Sequence, residues 1–185
     1  VHGACSGDTD TQVVIDEAGK MYTPPRGATD ACLAPYHIER GKIYVSERFA
    51  HSNNIDHSRL RAAVEMTRFP VPDDDAYQAT DTEPALVRAA DLIGQLADPF
   101  YHRKINALFA EFAETGMNEK MGVETPADLI AIFPDFFKSQ VEPYIQTALG
   151  YLELTTEGKQ WISNLYSNLY HAKERPNCLG PFMGG

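Results

Sequence analysis

A helix that is apolar over most of its circumference must lie inside a fold, and the run Arg88-Ala89-Ala90-Asp91-Leu92-Ile93-Gly94-Gln95-Leu96-Ala97-Asp98-Pro99 reads as such a helix. At about 100° per residue, Arg88, Asp91, Gln95 and Asp98 share a narrow stripe, while Leu86, Val87, Leu92, Ile93, Leu96 and several alanines spread over the rest. An internal carboxylate has to be paired, hydrogen-bonded or bound to a metal, because an isolated buried charge is strongly disfavoured. Asp91 is therefore a candidate site residue. Two structural readings stand beside that one: the stripe faces water, or Arg88 holds Asp91 in an ion pair.

The rest of the chain repeats the helical signal between proline and glycine punctuation. Residues 1–34 carry Gly3, Gly7, Gly19, Pro24, Pro25 and Gly27 among polar residues, and read as a loop-rich segment with one brief ordered element at Val13-Val14-Ile15. From Pro35, Ile38, Val45 and Phe49 recur at helical spacing, and a second helix spans Asp56 to Met66 before Phe69-Pro70-Val71-Pro72. Glu83-Pro84 opens the helix of Asp91. Ile105, Leu108, Phe109 and Phe112 predict a fourth, stopped by Gly116. Thr125-Pro126-Ala127-Asp128 caps a short helix to about Phe133, and Pro134 restarts the chain. Phe137, Val141, Tyr144, Ile145, Ala148, Leu149 and Leu152 form a long stripe with a kink at Pro143. Thr155 or Thr156 caps a last helix with Trp161, Ile162, Leu165, Tyr166 and Leu169. The expectation is an all-α, single-domain irregular bundle of about seven helices over 35–172, followed by a flexible tail at 173–185.

The 185 residues hold 16 Lys+Arg against 26 Asp+Glu, a net charge of −10, which opposes binding to duplex nucleic acid. No apolar run reaches the roughly 18 residues of a membrane span, and no secretory pattern opens the chain, so the expected location is cytoplasmic, away from the membrane. Cys5, Cys32 and Cys178 are odd in number and far apart, and read as thiols rather than a disulfide framework. No Gly-rich phosphate loop, nucleophile elbow or local zinc motif is present, so any metal site must be assembled from separate helices.

His37 opens its helix beside Glu39 and Arg40, where the helix N-terminus disfavours a charged imidazole and keeps the ring fit for coordination. His51 and His57 flank a polar turn and read as surface residues, and His171 suits the C-terminal dipole of the last helix. His102, with Arg103 and Lys104, follows Asp98 closely, which suits either an anion pocket or a solvated helix start. Phe109, Phe112, Phe136 and Phe137 read as core aromatics.

The blocks PYHIERGKIYVSERF from Pro35, TRFPVP, RAADLIGQLADPFYHRK, LFAEFAETG and YLELTTEGKQWISNLY resemble a bacterial subgroup of the HD-domain metal-dependent phosphohydrolases, across most of residues 1–172. The resemblance implies an HD-domain-like helical fold and a hydrolase of a phosphate ester or nucleotide. It implies His37 and Asp91 as ligands of a divalent metal (Mn, Fe, Mg or Zn), with Asp98 or Gln95 orienting them. Arg40, Arg68, His102 and Lys104 would contact the phosphorylated small molecule. The His-Asp dyad that names the superfamily is absent from these residues; Asp16-Glu17 imitates it only superficially, and the expectation is that the chain starts just after the dyad. The alternative is a non-catalytic helical regulatory or interaction domain that keeps the fold, and self-association as a homo-oligomer stays open.

Overall fold

The computed structural model describes residues 12–174. Within them the chain is helical: α1 (His37–Arg48), α2 (His57–Met66), α3 (Glu83–Leu96), α4 (Tyr101–Glu114), α5 (Met117–Met121), α6 (Pro126–Phe136), α7 (Glu142–Leu152) and α8 (Thr156–Glu174), with a two-stranded antiparallel hairpin, β1 (Val13–Val14) and β2 (Met21–Tyr22). The all-α class is thus observed. The chain divides into two compact units between Arg68 and Phe69. The expected flexible tail falls mainly on residues outside the described ones, as do Cys5 and Cys178.

In the first unit, the segment expected to be mostly loop holds the hairpin and a 3₁₀ turn over Asp30–Tyr36. Register pairs Val13 with Tyr22 and Val14 with Met21, and Thr29 caps the 3₁₀ turn through its hydroxyl. Pro35 lies in that turn and α1 begins two residues later. Asp56 caps α2 by accepting from the Ser58 and Arg59 backbone at 2.9 and 3.2 Å. Ile15, Leu33, Ile38 and Val45 are buried here. Arg61 ties the elements together, reaching Glu17 at 2.6 Å and Ser46 Oγ at 2.8 Å.

The second unit carries the larger core, in which Leu92, Ile93, Leu96, Ile105, Ile130, Phe133, Phe137, Ile145, Leu149 and Leu165 meet. Its helix starts follow the local chemistry of their sequences. Thr82 caps α3 ahead of Pro84, Thr125 and Asp128 form a reciprocal capping box on α6, and the Thr155 hydroxyl accepts from the Gly158 backbone at 2.9 Å. The one-turn helix α5 was not anticipated; it fits between Gly116 and Gly122, both in the left-handed region at φ 69° and 66°.

Pro134 does not restart the chain as expected; it sits inside α6, which runs on to Phe136 and into a π-helical turn at Phe137–Val141. The Glu142 N–H donates to the Phe137 carbonyl five residues back. Pro143 explains the register: without an N–H it cannot bond the carbonyl of Ser139, and its ring crowds that group. The wide turn also keeps the core in line. Apolar residues four apart drift about 40° per step on a straight α-helix. A wider turn rotates less per residue, so Phe133, Phe137, Val141, Ile145 and Leu149 all stay buried.

Candidate functional site

The α3 stripe is split by the fold. Ala85, Arg88, Ala89, Leu92, Ile93 and Leu96 are buried, whereas Asp91 and Gln95 are exposed and Asp98 is half-buried. The expectation of an internal Asp91 is therefore corrected: its carboxylate faces water. Ala90 and Gly94 are the reason, since residues this small count as apolar in a pattern yet sit at a surface with little penalty. Arg88 does not hold Asp91. Its guanidinium turns inward, donating to the Tyr77 and Ala79 carbonyls at 2.6 and 2.8 Å.

Asp91 does have an orienting neighbour. Gln95, one turn on, donates from Nε2 to Asp91 Oδ1 at 3.0 Å, leaving Oδ2 toward solvent. Asp98 is engaged elsewhere: Oδ1 accepts from the Phe100 N–H at 2.7 Å and Oδ2 pairs with Lys104. The Lys104 ammonium, then the Phe100 amide, hold this carboxyl below its usual range. Asp98 and Lys104 thus brace the bend between α3 and α4, where Asn168 of α8 also donates from Nδ2 to the Leu96 and Asp98 carbonyls at 2.8 and 2.9 Å. Nothing in the sequence near Asn168 points to that role. His102 is half-buried in the first turn of α4, and Arg103 lies exposed, 5.3 Å from the Phe100 ring centre.

In the first unit, His37 is exposed at the first turn of α1, and its Nδ1 lies 2.5 Å from the Ala34 carbonyl. A carbonyl only accepts, so Nδ1 carries the proton, which leaves Nε2 as the nitrogen that can coordinate. Arg40 is half-buried on the same helix. Arg68 is committed to carboxylates, meeting Glu39 at 2.9 Å and Glu65 at 2.6 Å. His57, read as a surface residue, instead has Nε2 shut off from water with no hydrogen-bond partner among the described residues.

His37 and Asp91 each present one donor atom of the kind that divalent cations take. Among the described residues, however, no group of three His, Cys, Asp or Glu side chains converges to hold a metal ion. No described helix is long and apolar enough to cross a membrane.

Comparison with known proteins gives one match. The Npun_R2479-like family model covers residues 1–175. The chain belongs to that family. The match runs through both units and ends at the close of α8, so every candidate site residue lies within the family's span. No curated protein and no solved structure matches the chain.

Proposed function

We propose that the chain is a helical domain of an HD-type metal-dependent hydrolase acting on a phosphate ester or nucleotide. The observation that carries this reading is the His37 ring. Ligating histidines characteristically donate their second nitrogen to a carbonyl or carboxylate, which fixes the tautomer and aims the free lone pair. The Ala34 carbonyl does this for His37, and Gln95 does the comparable service for the Asp91 carboxylate. The sequence blocks around both residues add the family resemblance. A divalent cation lowers the pKa of bound water toward neutrality and polarises a phosphoryl oxygen. Two donors do not make such a site, and the reading requires further ligands beyond those that the described residues bring together.

A second reading has its own support. Asp91 faces water and no three metal-type side chains converge among the described residues, which is what a non-catalytic regulatory or interaction domain would look like. Metal analysis separates the two. The product of the complete reading frame is expected to retain Mn, Fe or Zn after exhaustive dialysis, to lose it in H37A and D91A, and to release phosphate from nucleoside monophosphates. A product that retains no metal and releases no phosphate defeats the hydrolase reading and leaves the regulatory one.

A further inference from the structure

Gly41 sets the separation of α1 and α2. A Cβ at that position would stand 2.9 Å from Val64 Cγ1, so a larger residue would force the contact to give. At this approach the helices exchange charges. Each end contributes an acid and a base three residues apart, Glu39 with Lys42 and Glu65 with Arg68. The pairs close crosswise: Lys42 Nζ meets Glu65, and Arg68 Nη2 lies 2.9 Å from Glu39 Oε1. Arg68 grips Glu65 with both Nε and Nη2, at 2.6 and 3.2 Å, and Lys42 stands 3.5 Å from Glu39. The result is a ring of four alternating charges. Burial works against the Lys42 charge, yet Glu65 and Glu39 together outweigh it and raise its pKa.

Single surface ion pairs contribute little, but a bidentate arginine inside a closed network is the exception. The four side chains are 16 to 35% exposed, so dissolved salt still reaches them. Their position matters as much as their number. Arg68 is the last residue of the first unit and follows the end of α2, where the Thr67 hydroxyl bonds the Val64 carbonyl and the Arg68 N–H bonds the Glu65 carbonyl. No helical turn continues beyond it to hold that end.

We propose that this ring is a salt-sensitive clasp that fixes where the chain leaves the first unit. Closed, it holds residues 65–68 against α1; screened, it lets the end of α2 fray. The clasp is independent of any hydrolytic role. Its test is hydrogen exchange with mass spectrometry on the whole chain, following a peptide over residues 64–69 at about 50 mM and about 1 M NaCl, between which the screening length falls to a few ångströms. Protection at residues 65–68 is expected to drop about fivefold at high salt, as loss of a surface ion-pair network allows. E39Q should show the same loss at low salt with little further response. E47Q, an exposed change on α1 outside the ring, should match the unaltered chain. Salt-independent protection in the unaltered chain overturns the proposal, as does a full salt response retained in E39Q. Should E39Q also loosen α1 itself, the salt series on the unaltered chain decides alone.

Discussion

The Arg88 guanidinium lies 4.4 Å from the centre of the Tyr144 ring, joining α3 to α7 in the interior of the second unit. Its two hydrogen bonds to the Tyr77 and Ala79 carbonyls bring in the connector that precedes α3. Burial lowers the pKa of this guanidinium, and the bonded carbonyls and the ring face compensate its charge. Replacing Arg88 by Met keeps much of the volume but strands both carbonyls. We expect R88M to lose about 2 to 4 kcal/mol, measured by urea unfolding followed by circular dichroism. A loss below about 0.5 kcal/mol would mean that the surface-residue range applies and the clamp contributes nothing.

Two glycines on helices should respond in opposite senses. A Cβ on Gly158 would stand 2.0 Å from the Leu152 carbonyl oxygen, a backbone atom with no freedom to move aside. Gly94 on α3 faces open space. G158A is expected to destabilise by about 2 kcal/mol or more as the start of α8 is pushed off the end of α7. G94A is expected to stabilise by up to about 1 kcal/mol through helix propensity. Thermal melting of both variants checks the pair, and equal shifts would show that the close approach of the two helices is misplaced.

Acid sensitivity is expected at the start of α6. Asp128 Oδ2 accepts from the Thr125 hydroxyl, the Thr125 amide and the Glu124 amide, in that order of influence, and they hold its carboxyl below the ordinary range. A carboxyl with a depressed folded pKa contributes stability above its unfolded value, about 3.9, and loses it as pH falls through the lower folded value. D128N should therefore melt lower than the unaltered chain at pH 6 and converge with it as pH falls through the depressed folded value. A gap that stays constant with pH would assign the cap's contribution to geometry rather than charge.

The metal reading makes its sharpest demand on Gln95. If Asp91 binds a cation through Oδ2, removing the amide that orients Oδ1 should weaken affinity about tenfold or more without changing the fold. Isothermal titration of Q95A with Mn²⁺, beside its unaltered circular dichroism spectrum, reads this directly. Unchanged affinity would reduce the Gln95 contact to an ordinary pair on a helix surface.

Local chemistry was legible in the sequence, and long-range chemistry was not. Thr125 with Asp128, Glu83 with Pro84, and Gly116 announce helix ends because each acts within a few residues of itself. The hairpin at Val13–Tyr22 was missed because two residues per strand leave too few positions for an alternation to register. On α3 the pattern was inverted. Counting Ala90 and Gly94 as apolar made the surface look like core, and Arg88, counted as polar, proved the more deeply buried partner of the stripe. The crosswise pairs Lys42–Glu65 and Glu39–Arg68 and the Asn168 bridge join residues 23 to 72 positions apart, beyond what spacing along one helix can reveal.

The wide turn at Phe137–Val141 holds one residue more than an ordinary helical turn needs. Shortening the chain by one residue there would leave the faces of α7 pointing as they do, whereas the same deletion inside α7 would swing every later side chain by about 100°. Relatives that differ in length between α6 and α7 are therefore expected to place their insertions and deletions at this joint, where evolution has slack to take up.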